Sequence, residues 1–465
     1  MNGNASHDVV VIGAGIAGLI TANRVAQLGR RVIVLEKSTE DKYLCNSRYA
    51  YGTFHINYSD LEQDEEALLA RIENATEGHA RKDLARVVAR DGRRLMQWLK
   101  SEGIDVIQLD GYQTNVLAPA WRKGFGLTWK DYGADIALQR LGANLEQRQG
   151  RILRGTRATG LKTAQAGITI ETSQGAFRAA AVVIADGGFQ ANLDMVRAFG
   201  ISAAPEKLLP RNGGTAIGDG IRLAQSLGAA ITEGGMNNIY GHLHSRDAMH
   251  TTRLWPRPYM DEVAASGIVV DTTGRRIADE GLGGIWLTNA IARSADPLAA
   301  SIVFDQPVWD GPGRNHAQPP NPLLLEAGGT LHRADTLAEL AARAGMPAKV
   351  LEDTVDRYNV ALDAGTLAKL SPPRTTQNKP WPIRTPPFYA MPICVAITNT
   401  MGGIVVNGDG AVLDGNDKPI PGLYAAGSTI GGLNGGPHAG YVGGLINATI
   451  GLVAAEAIAR EAAAR

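Results

Sequence analysis

Val9 to Ile12 are four apolar, β-branched residues in succession, which predicts a buried strand. GAGIAGL (13–19) turns into a helix, and RVIVLEK (31–37) is a second buried strand, so residues 1–37 form a βαβ unit. Residues 62–103 are rich in Ala, Leu, Arg and Glu and predict helices, with Gly103 as a stop. GITIETSQGAF (167–177) is a hairpin candidate, and AAAVVIA (179–185) another buried strand. GTAIGDGIRLAQSLGA (214–229) reads as a glycine-rich entry into a helix. Residues 230–400 change character, with proline-rich stretches at 307–322 and 372–387, a strand pair over 267–278, and helices near 336–345 and 348–364. The chain then returns to GIVVN, LYAAG and a helix over about 443–462. There is no internal repeat.

Length changes the picture in one way: 465 residues exceed what one core usually serves, so two domains are expected. Charge changes it by exclusion. Lys plus Arg and Asp plus Glu are 46 each, which gives no basis for nucleic acid or an anionic membrane surface as partner. No apolar run is long enough to span a membrane, and MNGNASHD lacks the basic and apolar segments of a secretory signal. Two cysteines, Cys45 and Cys394, make no disulfide framework, and a cytoplasmic location is the expectation. The 56 glycines cluster around 13–18, 187–220, 281–284 and 402–444, as expected where backbone packs against a ligand.

The first turn carries the clearest chemistry. Gly13, Gly15 and Gly18 stand in G-x-G-x-x-G register: the first allows the tight turn, the second lets a pyrophosphate approach, the third lets helix and strand pack closely. Phosphates would rest on the helix N-terminus. Glu36, ending the second strand, is placed to accept hydrogen bonds from a ribose.

Several segments together resemble the flavoprotein superfamily of fumarate reductases, 3-ketosteroid dehydrogenases and tricarballylate dehydrogenase, over essentially the full length. They are GAGIAGL with Glu36, NSRYAYGTF (46–54), VVIADGGFQAN (182–192), TAIGDGI (215–221), GIVVDTTGRRIADE (267–280), TMGGIVVN (400–407) and GLYAAGS (422–428). The resemblance implies an α/β fold: a Rossmann-like FAD-binding domain (1–236 and 399–465) with an inserted, mobile α+β capping domain (237–398) and the active site between them. It implies FAD, expected to be non-covalent because the loop at Ser47 and Arg48 offers no histidine before His55. The FAD contacts implied are Gly13, Ala14, Gly15, Ala17, Gly18, Glu36, Lys37, Asn46, Ser47, Gly52, Ala158, Ala185, Gly187, Asp219, Gly427, Ser428, Gly443, Gly444 and Leu445.

The departures from that family point away from fumarate. Counting four from Glu280, the position of the fumarate reductases' proton-delivering arginine is Gly284, and their histidine before Thr-Met-Gly-Gly is Asn399. Their distal carboxylate-binding arginine has no counterpart in GGLNGGPHAGYVGG, and the ketosteroid dehydrogenases' tyrosine base near 284 is absent. Aligned from Gly427, the tyrosine that polarises the ketone falls on His438, while the substrate-binding histidine of fumarate reductases falls on His242. Removing hydrogen across a C–C bond needs a hydride acceptor, a base for the α-proton and a donor for the enolate. His438, Tyr441, His242 and Tyr240 are the expected catalytic residues, and His244, Arg253, Arg257 and Trp286 the expected substrate contacts. His242, His244 and His250 lack the accompanying cysteines and carboxylates of a metal site. Free backbone N–H groups are expected at Gly440, Gly443 and Gly444. Asp186 has no role in this reading. The expected activity is α,β-dehydrogenation of a small or cyclic compound beside a carbonyl or carboxylate, passing electrons to an unidentified acceptor. The alternatives are an ene-reductase or an electron-transfer subunit.

Overall fold

The computed structural model describes residues 6–108, 114–120, 126, 128–165, 167–315 and 318–464, so the amino-terminal MNGNA lies outside it. The buried apolar runs become the centre of a parallel sheet. Strand β1 (Ser6–Ile12) lies between β2 (Val32–Leu35) and the strand Gly175–Ile184, with Val9 opposite both Val32 and Ala181. Pro419–Ala425 and Arg151–Leu153 extend the parallel order on either side. Parallel strands covered on both faces must be apolar throughout, and Val9, Val10, Val11, Val34, Val182, Val183 and Ile184 are wholly buried. The expected hairpin pairs Gly167–Thr172 with Gly175–Ile184. It is continuous with AAAVVIA, so two predicted strands are one.

Helix α1 (Ile16–Gln27) packs on the sheet beneath the helices Gly133–Gln147 and Ala448–Ala463. The last of these approaches closely because Gly451 has no side chain: a Cβ there would lie 2.5 Å from Thr21 Oγ1. The carboxy-terminal helix begins at Ala448, after a short turn at Leu445–Asn447, rather than at 443. Residues 62–103 form Glu65–Thr76 and Lys82–Ser101.

A second sheet is organised around one long strand, Phe388–Thr400. Its first half pairs with Ser301–Asp305 and His332–Ala334, its second half with Ile239–Ser245 and Leu209–Pro210. The strand runs through position 398, and Leu209–Pro210 joins from well before 237. The predicted strand pair at 267–278 is a single strand, Ile268–Val270, followed by a turn that returns with one bridge, Val270 to Arg276. Helices Leu337–Ala344 and Ala348–Asp363 cover the outer part of this sheet around a separate small core containing Leu340, Leu351 and Tyr358. The main core is continuous from the first sheet to the second, from Val10 to Ile302 and Val395.

Candidate active site

A cavity of about 480 Å³ runs from the first turn to the strand Ile239–Ser245. At one end it is made of backbone. Gly13 has φ +100°, and a Cβ there would meet Ala185 O at 2.7 Å, while one at Gly18 would lie 2.0 Å from Gly13 O. Both positions therefore require glycine for the turn itself. At Gly15 an added Cβ would project to 3.4 Å from Ser47 Oγ, so its absence widens the channel over the helix N-terminus. Glu36 is buried and fixed: its carboxylate accepts from Ala14 N (3.2 Å) and Ser38 N (2.9 Å). Ile16 N donates to Ser47 Oγ (3.0 Å); a dinucleotide's phosphates fit the channel over Gly15 at the helix N-terminus, and its ribose the Glu36 end.

The segments beside this turn are tied together by side chains. Asn46 donates to Thr398 O (2.7 Å) and accepts from Gly213 N (2.9 Å), joining three segments distant in sequence. Tyr43 donates to Ala14 O (2.7 Å), and the buried Arg48–Asp135 pair holds the short helix Asn46–Tyr49 down. Lys37 donates to Thr215 O and lies 3.8 Å from Asp219, which is also gripped by Arg157 (2.8 Å) and Arg222 (2.6 Å). Asp186, for which the sequence suggests no role, accepts from Gly220 N (2.7 Å) and so locks the end of a central strand to the Gly-Asp-Gly turn. Burial pushes its carboxyl up to about 6.

The opposite end is made of side chains. Tyr240 and His242 meet on their strand beside a register shift, where Tyr240 pairs with Asn399 and Gly241 with Ile397, leaving Thr398 of the long strand unpaired. His242 Nε2 is 3.0 Å from Tyr240 OH, and its Nδ1 contacts Asp261 Oδ2. A carboxylate only accepts, so Nδ1 carries the proton and Nε2 accepts from the phenol. Tyr240 stacks on Tyr441 (centroids 3.9 Å apart), and Tyr259 stacks on His242 (4.5 Å). Burial pushes the Tyr240 phenol up, opposed by the nearby Arg211 cation. Burial pushes His242 down, opposed by Asp261. Arg211 also lines the cavity. Its Nη1 donates to Thr398 Oγ1 (2.8 Å), its Nε is buried without a partner, and no carboxylate lies within ion-pair distance among the described residues.

Of the expected FAD contacts, Gly13, Ala14, Gly15, Ala17, Glu36, Lys37, Asn46, Ser47, Ala158, Ala185, Gly187, Asp219, Gly427, Ser428, Gly444 and Leu445 line the cavity. Gly18, Gly52 and Gly443 stand behind it for packing: a Cβ at 52 would strike Leu117 at 2.8 Å, and one at 443 would strike His55 O at 2.5 Å. The expectation of free N–H groups is corrected: Gly440 N donates to Gly435 O (2.7 Å) and Gly443 N to Asn434 Oδ1 (3.4 Å).

Of the expected catalytic residues, Tyr240, His242 and Tyr441 meet in the cavity, and Arg257 joins them. His438 does not. It is exposed, paired with Glu77 (2.7 Å) and edge-on to Trp286 (5.0 Å), outside the cavity lining. Tyr441, three residues on, lines the cavity instead. Trp286 therefore packs on His438 instead of lining the site. Arg253 is exposed and donates to Glu326 O (2.9 Å), and His244 is buried in the core below the cavity wall.

Four groups were missed: Tyr58, Arg211, Tyr259 and Asp261. Tyr259 follows Arg257 at strand-like spacing in RPYMD, and Arg211 stands just before the glycine turn, so both carried a signal in sequence. Tyr58 carried none. It lines the cavity because Asn57 and Tyr58 both have positive φ (45° and 57°), a conformation held by Tyr58 N donating to His55 Nδ1 (3.0 Å).

Comparison with known proteins gives the family. The family described as FAD binding domain matches residues 8–440. Vinyl phenol reductase of Lactiplantibacillus plantarum is 25% identical over 462 residues, covering 92% of this chain and 91% of that protein. 4-Oxocyclohexanecarboxylate 2-dehydrogenase of Sinomonas cyclohexanicum is 24% identical over 556 residues, covering 99% and 94%. The structure of 3-ketosteroid-delta4-(5alpha)-dehydrogenase from Rhodococcus jostii RHA1 matches with a TM-score of 0.71 at 20% identity, covering 98% of this chain and 97% of that one, a likeness of fold.

Proposed function

The chain belongs to the FAD-binding family whose pattern spans it, and from that premise we propose that it dehydrogenates a C–C bond beside a carbonyl or carboxylate in a small or cyclic compound. It is an FAD-dependent oxidoreductase. Gly13 to Ala17, Glu36, Ser47, Gly427 and Ser428 would hold the cofactor, with Gly444 and Leu445 beside its ring; when bound, FAD supplies a two-electron acceptor for a hydride. We propose that it is held without a covalent bond. We propose that 237–398 closes over 1–236 and 399–465.

The observation that carries the reading is the pairing of a phenol and an unneutralised cation at one end of the FAD cavity. Arg211 lines the space and has no carboxylate within ion-pair distance among the described residues, which suits an oxygen that gains negative charge. Tyr240, beside it, is placed to take a proton from the carbon next to that oxygen. Its phenol is disfavoured as an anion by burial and favoured by Arg211, so the same cation serves both groups. The stacked rings of Tyr240, Tyr441 and Tyr259 offer flat apolar walls to a ring or conjugated chain. Fumarate fits this end poorly, because the arginine and histidine of the fumarate reductases are Gly284 and Asn399 here.

The same groups run in reverse would protonate a double bond, and the relative named vinyl phenol reductase favours that second reading. Two half-reactions separate them. Oxidised enzyme mixed anaerobically with cyclic ketones and 4-oxocyclohexanecarboxylate should lose its flavin colour within the turnover time. Dithionite-reduced enzyme mixed with the matching unsaturated compounds should regain it more slowly. Fast reoxidation with no bleaching by any saturated compound would replace the first reading with the second.

A further inference from the structure

We propose that Asp261 and Gly284 are a matched pair that makes His242 and Tyr240 the proton-transfer unit of this site. The inference rests on the reading just given and adds the residues that drive it. Gly284 opens the helix Gly284–Ala292, and a Cβ placed there would lie 2.4 Å from Asp261 Cβ and 2.5 Å from Asp261 Cγ. Real side chains do not approach so closely, so any residue but glycine at 284 would evict Asp261. The site where the resembling families place an arginine or a tyrosine is therefore filled from the other side by a carboxylate.

Asp261 is well anchored in that space. Its Oδ1 accepts from Leu243 N (2.9 Å), on the same strand as His242, and its Oδ2 holds His242 Nδ1. That contact fixes the ring and its tautomer, leaving Nε2 as an acceptor toward Tyr240 OH at 3.0 Å. The charged and titratable groups facing the pair are Asp261 and Tyr259 from the 257–266 segment, Arg211 from the glycine loop, His244 on the same strand, and Tyr58 and Tyr441 across Tyr240. Asp261 is the one carboxylate among these described groups.

The proton step balances without any outside reagent. The substrate C–H bond breaks and a new O–H bond forms on Tyr240 as its own O–H bond breaks and an N–H bond forms at His242 Nε2. The electron pair of the C–H bond stays on the substrate as an enolate, whose charge Arg211 meets. His242 ends as an imidazolium beside the Asp261 carboxylate. The step costs less there because ring and carboxylate are already in contact and need no reorganisation. Asp261 is thus a positioning residue that acts through His242.

The test uses the FAD-loaded protein with ¹⁵N-labelled histidine, the His242 signal being assigned by its loss in His242→Gln. We expect the neutral Nδ1–H form at pH 7.5, and its loss in Asp261→Asn. Flavin bleaching by 4-oxocyclohexanecarboxylate should slow about 10²-fold in Asp261→Asn, at unchanged FAD content and half-saturating concentration. The acid limb of its pH profile should move to lower pH, because the carboxylate that favours the imidazolium is gone. Gly284→Ala should slow the native protein comparably and add nothing in an Asp261→Ala background. A native Nε2–H form, a native rate in Asp261→Asn, or additive effects of the 284 and 261 changes would each overturn the proposal. Where that compound does not bleach the flavin, the tautomer alone decides. Tyr240→Phe separates the levels: if it bleaches at the native rate, the reading of the whole site fails, whereas if only the Asp261 variants do, the relay alone fails.

Discussion

The two ends of the cavity recognise by different means. At the first turn the recognising atoms are backbone amides, and specificity comes from where side chains are missing: Gly13 and Gly18 cannot carry a Cβ without striking main chain at 2.7 and 2.0 Å. At the far end Tyr58, Arg211, Tyr240, His242, Tyr259, Asp261 and Tyr441 converge from segments spread over most of the chain. A backbone site answers to local sequence, so it stays put while the rest of the chain changes. A side-chain site is assembled by tertiary packing and is rebuilt by exchanges such as a carboxylate entering over a glycine. One end thus identifies the cofactor, and the other sets what is done with it.

That division predicts a separation of effects. The largest belongs to Tyr240→Phe, which should cut the rate of flavin reduction about 10³-fold and leave FAD bound, within the range for losing an acid–base group. Arg211→Met should cost about 10²-fold, in line with removal of one charge-stabilising donor, and it should also weaken binding of a carboxylate compound. At the backbone end Gly18→Ala should show the converse. The new methyl meets Gly13 O, which cannot move without opening the turn, so FAD is lost and stability falls by about 1–3 kcal/mol, read as a lower thermal midpoint. If Gly18→Ala kept FAD and lost only rate, the two ends would not be separable.

A smaller effect is the pH dependence of stability. Burial holds His55 down to about 4 and lowers His242 and His244 as well. The unfolded chain binds protons near pH 6.5 that the native state refuses, so this stability is full above that pH and is lost as pH falls toward 4. Asp186 acts in the opposite sense. Its folded value of about 6 exceeds the unfolded one, so its contribution is lost as pH rises through 6. Three histidines outweigh one carboxyl, and the thermal midpoint should drop between pH 7 and 4.5. His55→Gln should flatten that fall. The smallest effect is expected at His438→Ala, below about twofold in rate, because His438 is exposed outside the cavity and its contact with Glu77 is a surface one.

The nucleotide end was legible in the chain because its signals are local: a β-branched run, glycines at fixed spacing and an acid at the end of the next strand. Asn46, Ser47, Asp219 and Gly427 came with the same family motifs. The tyrosine end was only half legible. Tyr240 and His242 follow from strand alternation, yet His244, two residues on, faces the core. The loop at 434–444 was not legible from residue order. Its glycines fold into a bridge between Gly435 and Gly440 that turns His438 outward and Tyr441 inward. Asp261 could not be found from its neighbours in sequence, since its meaning lies in the empty volume at Gly284.

The central claim is that FAD chemistry here depends on the phenol and the cation at the tyrosine end. Anaerobic stopped-flow bleaching of the flavin tests it most directly, using 4-oxocyclohexanecarboxylate and a set of cyclic ketones against the native protein, Tyr240→Phe and Arg211→Met, each with its FAD content measured. The account predicts rapid bleaching by at least one compound in the native protein, and loss of about 10³-fold and 10²-fold in the two variants at full FAD occupancy. Bleaching at the native rate in Tyr240→Phe, or no bleaching of the native flavin by any of these compounds, would contradict it.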